Sequence, residues 1–407
     1  MRTRQETVPR RYSRMGIGGD GSTLNLDFTA MSSLDSRFTF SRASTVATYV
    51  NSSGYIATAT TNEPRFDYNP TTLAAKGLLI EGQAINIALY SQSINSSLSY
   101  LVGNGTTLTQ NTTDVLDPAN GNTATKIALT ASTYCSRAQI VAVSGSTQYT
   151  FSYYLRGTAG NQCRIYSYAG FTGDLVTQTN HTYTTNSWTR VTTTFTTNAA
   201  TTGIYIYVCS RTSAASPAEV IYVWGAQLEI GTGASSYIPT VASQVTRATD
   251  VCYIDGTNFS SWFNNTEGTV LFIGNNTIVP APSNFSANWA LINAAGSSRI
   301  TQYTRHTTGR IGASCRDSGG GALTFDSPSA TTLILTTAEY KTAFALKSSD
   351  FAYSVNGAAV GLGDGVGVFE TVASLEFARD GIRNGHVKCF KFWPARLTNA
   401  QLIAITT

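Results

Sequence analysis

Short runs of strand-forming residues, separated by polar turns, recur along most of this chain and restrict what it can fold into. Examples are QYTFSYYLRG, SWTRVTTTFTT and GIYIYVCS, in which Thr, Tyr, Val and Ile are abundant. These residues favour pleated strands, whereas the Gly, Asn and Ser between the runs favour tight connections. Charged residues make up only 12% of the 407 residues, about half the usual share. The pattern predicts an all-β chain.

The spacing of these runs predicts tandem β-sandwich modules, since regular short strands with turn signals are typical of jelly rolls. The turns Asn51-Ser52-Ser53-Gly54 and Asn356-Gly357 predict hairpins. Thr398 and Gln401 form a capping box that predicts one short C-terminal helix. We expect a basic flexible arm, a β-rich docking leader too thin for its own core, a jelly-roll sandwich, a linker and a second sandwich. Their ranges are 1–22, 23–90, 91–240, 241–250 and 251–407.

The first stretch of the arm, MRTRQETVPRRYSR, alone supplies a net charge of +4, equal to that of the whole chain, because five arginines accompany one glutamate there. Such an arm suits an acidic protein surface, and we expect it to anchor the protein in a larger assembly. The rest of the chain is close to neutral, so nucleic-acid binding is not expected. The anchoring residues are Arg2, Arg4, Arg10, Arg11 and Arg14.

Several classes of protein are disfavoured by what the sequence lacks. No stretch approaches the ~18 apolar residues of a membrane helix. The basic N-terminus is followed by a polar, Gly-rich segment, so no signal peptide is expected. The six cysteines are far apart and form no C-x-x-C pair, which disfavours a metal knuckle or a disulfide framework.

The carboxylates are few and scattered, which disfavours an enzyme. A retaining glycosidase needs two carboxylates ~5 Å apart, a distance that same-face residues two positions apart in a strand roughly provide. Glu376 and Asp380 in SLEFARD have a different spacing, and Glu339 and Glu370 stand alone. The three histidines are also widely separated, without the spacing of a metal site.

Aromatic residues on a polar, weakly charged surface suit neutral sugars, because a ring covers the apolar face of a pyranose. In RIYSYAGF, Tyr166 and Tyr168 share one face of a strand by the two-residue period, and Phe171 follows. Packing in the core explains each candidate as well and is the favoured explanation. The candidates in the second sandwich, which could line a groove, are Trp289, Tyr303, Arg305 and Arg316.

The segment TDVLDPANGN offers a set of hard oxygen donors that suits a structural calcium ion. The same residue types also favour a turn for purely conformational reasons, and this second explanation is preferred. The calcium ligands would be Asp114, Asp117, Asn120 and Asn122.

The stretch NEPRFDYNP predicts an extended docking strand, because residues that precede proline avoid the helical region. Arg65 and Asp67 then project to one side, and Phe66 and Tyr68 to the other. The two charges could pair with each other while the aromatic rings anchor the strand on a neighbouring sheet. Arg42 is a candidate for a further internal ion pair.

Several longer strings resemble those of known proteins. FSRASTVATYVNSSGYIATATTNEPRFDYNP, followed by GLLIE, is similar to a leader shared by many tailed-bacteriophage virion proteins. VWGAQLEIG with SSYIPTVASQVTRATD resembles the end of a carbohydrate-binding-module-like jelly roll and its exit linker. EGTVLFIG, FAYSVNG and FKFWPARLTNAQLIAIT resemble a concanavalin A-like, laminin-G-like sandwich. Together these strings cover most of residues 23–407.

The resemblance implies a structural protein of a phage virion, a tail fibre or appendage that recognises host-surface polysaccharide. It also implies contact with other virion proteins through the arm, assembly in the bacterial cytoplasm, and a homo-oligomer, with a trimer favoured by analogy. The alternative is a purely architectural capsid decoration, collar or baseplate component without glycan binding. A glycan depolymerase is a third class, which the missing carboxylate pair disfavours.

Overall fold

The chain folds into antiparallel β-sheets, as the sequence predicts. The structure is a computed structural model, and it describes residues 20–94, 100–102, 106–131, 135–157, 162–169, 174–182, 187–211, 218–278, 285–296, 299–305, 310–316, 322–326, 338–363, 371–377 and 383–407.

The first part of the described chain contains eighteen strands. The leader contributes β1 (Leu24–Asp27), β2 (Thr39–Ser41), β3 (Ala47–Val50), β4 (Ile56–Ala59), β5 (Arg65–Tyr68), β6 (Ala75–Glu81) and β7 (Ala84–Asn86). The strands that follow are β8 (Tyr100–Val102), β9 (Thr106–Thr109), β10 (Thr125–Leu129), β11 (Cys135–Ala142), β12 (Gln148–Gly157), β13 (Gln162–Ala169), β14 (Asp174–Thr182), β15 (Thr189–Thr196), β16 (Gly203–Arg211), β17 (Glu219–Ile230) and β18 (Val245–Arg247).

The second part contains the remaining strands and two short helices of the described residues. Its elements are β19 (Val251–Asp255), α1 (Gly256–Ser260), β20 (Glu267–Asn276), β21 (Phe285–Ile292), β22 (Arg299–Arg305), β23 (Arg310–Arg316), β24 (Ala322–Asp326), β25 (Tyr340–Lys347), β26 (Phe351–Val355), β27 (Gly361–Gly363), β28 (Ser374–Phe377), β29 (Asn384–Trp393) and α2 (Asn399–Thr406).

Four large sheets form two sandwiches, each with its own apolar core. Sheet A has the order β27-β26-β25-β20-β29-β6-β5, with β1 also paired to β29, and sheet B has the order β2-β19-β28-β21-β22-β23-β24. Sheet C has the order β15-β12-β17-β10-β9, and sheet D the order β14-β13-β16-β11-β8. One core lies between sheets A and B and the other between sheets C and D. Burial of these side chains is the main stabilising term of both sandwiches.

The leader is built into the second sandwich. Strands β1, β5 and β6 complete sheet A, and β2 lies at the edge of sheet B beside β19. Leu24 and Leu26 of β1 lie opposite Phe392 and Phe390 of β29 and are buried with them in the core. The leader therefore docks on a surface of its own chain, and residues 251–407 share their sheets with strands from the N-terminal fifth of the sequence.

Strand β5 has the two faces that its sequence predicts. Phe66 packs against the core of the second sandwich, whereas Arg65 and Asp67 are buried on the opposite face. The prediction that these two charges pair with each other is wrong. Arg65 and Asp67 share one face of β5, but the guanidinium group of Arg65 pairs instead with carboxylates from other segments of the chain.

The partners of Arg65 come from two such segments. Its Nη1 donates to Glu81 at 2.6 Å and its Nη2 to Asp250 at 2.5 Å. Arg247 lies 2.9 Å from Glu81, and Arg42 lies 3.1 Å from Asp250, which confirms the predicted internal pair of Arg42. All five side chains are almost completely buried. We call these five residues the buried ion network.

The network joins the leader to the linker that leaves the first sandwich. Ser236, between β17 and that linker, donates to Glu81 from its backbone N–H and from its hydroxyl. Burial by itself would raise the pKa of Glu81, but Arg247 and Arg65 outweigh it and lower the pKa to about 2. Glu81 is therefore ionised at neutral pH and holds the two segments together as a charge.

Asp67 forms a separate buried pair. Its Oδ2 lies 2.8 Å from Nε2 of His386 on β29 and 2.8 Å from Nζ of Lys76 on β6. Burial would raise the pKa of Asp67, but the hydrogen bond with His386 and the charge of Lys76 hold that pKa well below its usual range. The docking strand is thus fixed to sheet A by its charged face as well as by Phe66.

The predicted turns and helix cap are confirmed. The hairpin of β3 and β4 closes through Asn51, whose Oδ1 accepts from the N–H groups of Ser53 and Tyr55. Helix α2 begins after Thr398, which forms the capping box with Gln401 and directs Leu402 into a buried contact.

Candidate functional site

Part of the outer face of sheet C is covered by other segments of the chain. Trp224 of β17 is fully buried, with its ring 4.5 Å from that of Tyr237 in the segment that follows β17. Ile56 of the leader hairpin packs on the same cluster, which also includes Tyr154 of β12. This cluster joins the leader and that segment to the first sandwich, whereas Thr192 and Thr194 on the outer face of β15 are exposed.

Sheet D carries a row of tyrosines on the face that points away from the core. On β16, Ile204, Ile206 and Val208 are fully buried in the core between the sheets. Tyr205 and Tyr207 alternate with them and are half-buried. Their ring centroids lie 6.3 Å apart. Because the side-chain period of a strand is two, both rings lie on the outer face.

Strand β13 brings two further tyrosines to the same place. Tyr166 lies opposite Tyr207 in the antiparallel register, and Tyr168 lies opposite Tyr205. Residues that are directly opposite in an antiparallel pair share a face of the sheet, with their Cβ atoms ~5 Å apart. Four tyrosine positions therefore form a compact block, which we call the tyrosine face: Tyr166, Tyr168, Tyr205 and Tyr207.

The strands on either side of this block contribute three apolar positions and one amide. On β14, Gln178 is the register partner of Tyr166, and Leu175 that of Tyr168. On β11, Ile140 is the register partner of Tyr205, and Ala138 that of Tyr207. Aromatic rings beside an amide position are the combination that binds a pyranose, because rings cover its apolar face and amides bind its hydroxyls.

Sequence analysis identified two of the four tyrosines of this face. The predicted shared face of Tyr166 and Tyr168 is confirmed by their register, while Phe171 lies outside the described residues. Tyr205 and Tyr207 were missed, although the alternation in GIYIYVCS could have identified them. The missing information was that β16 lies next to β13.

The aromatic candidates of the second sandwich are placed in buried positions. Trp289 is 1% exposed and packs edge-on against Phe390, with ring centroids 5.8 Å apart. Tyr303 is 5% exposed on the adjacent strand. The prediction that these two residues line a groove is therefore wrong for this structure, and core packing explains them. Arg305 and Arg316 end the neighbouring strands β22 and β23, and their side chains lie outside the described residues.

The predicted calcium segment forms a loop held by Asp117. Its carboxylate accepts hydrogen bonds from the N–H groups of Ala119, Gly121 and Thr123 and from the Thr123 hydroxyl. Asp114 forms an exposed ion pair with Lys126 at 2.7 Å. These contacts occupy the carboxylate oxygens that a calcium ion would use.

The other two predicted calcium ligands also belong to this loop. Asn120 adopts a positive φ of 64°, as turn residues often do, and Asn122 follows it after Gly121. Among the residues that the structure describes, no three His, Cys, Asp or Glu side chains group into a metal site. Calcium binding by this loop stays a prediction.

The remaining candidates of the sequence give no catalytic pair in the described parts of the chain. Glu339 forms an ion pair with Lys388 at 2.5 Å. Glu376 is half-buried on β28, and Asp380 and Glu370 lie outside the described residues, as do the arginines of the arm. None of the described helices is long and apolar enough to cross a membrane.

One family model matches part of the first sandwich. Residues 87–216 match the carbohydrate binding domain family, and this range contains strands β8 to β16, with all of sheet D. No curated protein matches the chain. The first sandwich is therefore similar in sequence to carbohydrate binding domains, and the tyrosine face lies within the matched range.

Several solved structures are similar to part of the chain. A carbohydrate-binding module of the Ruminococcus gnavus sialidase is 15% identical, with a TM-score of 0.31 over 37% of this chain and 88% of that one. The binding domain of botulinum neurotoxin serotype D is 13% identical, with a TM-score of 0.31 over 39% and 40%. Trypanosoma rangeli sialidase is 11% identical, with a TM-score of 0.27 over 38% and 25%.

Proposed function

We propose that this protein binds glycans through the tyrosine face of its first sandwich. The observation that carries the proposal is the register of β13 and β16, which gathers four tyrosine positions on the outer face of sheet D. The matched carbohydrate binding domain, residues 87–216, supports the same ligand class. Aromatic rings at these positions would contact one or two sugar units, so each site is expected to be weak, and several copies would act together by avidity.

Binding, and not catalysis, is the proposed activity. The matched family is named for binding. In the loop between β9 and β10 of the same sandwich, Asp114 and Asp117 are engaged with Lys126 and with backbone N–H groups respectively. A depolymerase would release reducing ends from a bound polysaccharide, and we expect no such release.

We further propose that the chain is a virion component of a tailed phage, a fibre or appendage anchored through its basic arm. The support is the resemblance of the leader and of the VWGAQLEIG and YIPT segments to those of phage virion proteins. A homo-oligomer, with a trimer favoured by analogy, would supply the copies that avidity needs. Mass spectrometry of purified virions tests the location, and mass photometry of the purified chain tests the oligomer.

The architectural alternative is favoured by one observation, the buried ion network that fastens the leader to the linker. A rigid connection of two sandwiches suits a collar or baseplate component whether or not a sugar binds. Glycan binding by the isolated protein separates the two functions, because only the first of them requires it.

The decisive experiment is a glycan array of bacterial polysaccharides probed with the full chain. A fragment that begins at residue 91 is unsuitable, because it would lack β1, β5 and β6 of sheet A. We expect the Tyr205→Ala and Tyr207→Ala variants to bind about tenfold more weakly, as truncated aromatic anchors do. Tyr222→Ala, a half-buried tyrosine on β17 of sheet C, is the matched control and should bind normally. Absence of binding by the wild type would favour the architectural function.

A further inference from the structure

Next to the tyrosine face, on β11, lies the exposed aliphatic side chain of Ile140. It is 42% exposed, whereas its neighbour Val141 points into the core and is 7% exposed. Strand formation does not require an apolar residue there, because Thr suits an exposed strand position as well. Ile140 therefore places apolar surface in water beside Tyr205, its register partner.

The positions next to the four tyrosines are apolar except for one amide. On β11, Ile140 and Ala138 lie beside Tyr205 and Tyr207. On β14, across β13, Gln178 is opposite Tyr166 and Leu175 is opposite Tyr168. A sugar ring stacked on the block would therefore have one amide position near its β14 edge and the Ile140 side chain near its second edge, at β11.

The chemistry of this second edge decides which sugar fits. A hydroxyl that faces Ile140 loses contact with water and gains no hydrogen-bond partner from the isoleucine, which is unfavourable. A methyl group in the same place is removed from water against an apolar surface, which is favourable. Sugars carry a methyl group in two common forms, the N-acetyl substituent and the 6-deoxy carbon.

We infer that the tyrosine face selects glycans that contain N-acetylated or 6-deoxy sugars, and that Ile140 determines this specificity. The inference rests on the proposed glycan-binding function and adds the class of ligand. The shared chemistry is one methyl group at the β11 edge, which is worth about a fourfold difference in affinity per site.

The test uses matched pairs of oligosaccharides and the full chain. One set of pairs differs only in an acetamido group against a hydroxyl, as in chito- and cello-oligosaccharides. The other set differs only in a C6 methyl against a hydroxymethyl, as in fucosides and galactosides of the same configuration. Affinities for both members are measured by calorimetry with the wild type and with the Ile140→Thr variant. Threonine keeps the strand preference and the branched shape, so the fold should persist.

We expect the wild type to prefer the methyl-bearing member of at least one set by about fourfold or more, and Ile140→Thr to remove that preference. The set of pairs in which this preference appears shows whether the methyl group belongs to an N-acetyl substituent or to C6. The control is Ile230→Thr, which changes an isoleucine that is 70% exposed on β17 of the other sheet and should leave the preference intact.

Two negative results have different meanings. Equal binding of both members by the wild type, or an unchanged preference in Ile140→Thr, would overturn the specificity and leave glycan binding in place. No binding of any member, together with an empty glycan array, would overturn the proposed function and the specificity with it.

Discussion

Replacing Glu81 by Gln removes one charge from the buried ion network and should strongly destabilise the fold. Glu81 lies 2.6 Å from Arg65 and 2.9 Å from Arg247, and all three side chains are buried. The variant keeps the shape of the side chain but leaves two guanidinium groups with only Asp250 as a partner in the network. Breaking a buried pair by neutralising one partner typically costs about 3–5 kcal/mol.

The pKa of Glu81 gives a second estimate of the same quantity. Its ordinary value of 4.5 is lowered to about 2 in the folded protein. Because the folded pKa is depressed, the ionised group contributes stability that is fully present above pH 4.5 and is lost as the pH falls towards 2. At 1.36 kcal/mol per pH unit, this shift corresponds to about 3 kcal/mol. The two estimates agree in order of magnitude.

The assay is urea unfolding of the full chain, followed by tryptophan fluorescence at pH 7 and at pH 3.5. We expect Glu81→Gln to lower the free energy of unfolding by about 3 kcal/mol or more at pH 7. We also expect the variant to lose less stability than the wild type on going to pH 3.5. Asp114→Asn is the control, since its ion pair with Lys126 is exposed and should contribute little to stability.

One outcome would refute this reasoning. If Glu81→Gln unfolds within about 1 kcal/mol of the wild type at pH 7, the network does not hold the leader and linker by charge. In that case the hydrogen bonds from Ser236, which an amide oxygen can also accept, would account for the connection.

Three further predictions concern local structure. Gly77→Ala should lower the stability of the protein in thermal unfolding by more than about 2 kcal/mol. The reason is that φ is +94° at Gly77 and the added Cβ would lie 2.3 Å from the Val387 carbonyl oxygen. An unchanged stability would contradict this prediction. Thr398→Ala should cost about 1 kcal/mol through loss of the cap of α2, and Thr398→Ser, which keeps the hydroxyl, should not. Asp117→Ala should lower the free energy of unfolding by about 1–3 kcal/mol even in EDTA, because three backbone N–H groups lose their acceptor. If the variant is less stable than the wild type only when calcium is present, an ion binds in that loop.

Local patterns in the sequence predicted the structure correctly where the interacting residues are close in the sequence. The capping box of α2 and the Asn51 turn depend on residues within four positions of one another, and both are confirmed. The alternation of RFDY was enough to place Arg65 and Asp67 on one face of β5. It could not give their partners, because Asp250 and His386 are supplied by segments that lie far away in the sequence.

The candidate site shows the same division. The two-residue period placed Tyr166 and Tyr168 on one face, but it applied equally to many other aromatic positions. Trp289 and Tyr303 were chosen by the same kind of argument and are buried, because residues on strands of a large sandwich face a core or a covering segment more often than a ligand.

The sequence by itself determined the β character of this protein, the two faces of its strands, its turns and its single capped helix. These properties follow from the conformational preferences of neighbouring residues. The tertiary structure alone decided which strands became neighbours, and therefore that β16 brings Tyr205 and Tyr207 beside β13 and Ile140 beside Tyr205. Antiparallel pairing depends on how the whole chain returns on itself to bury its cores, and short patterns do not contain that information.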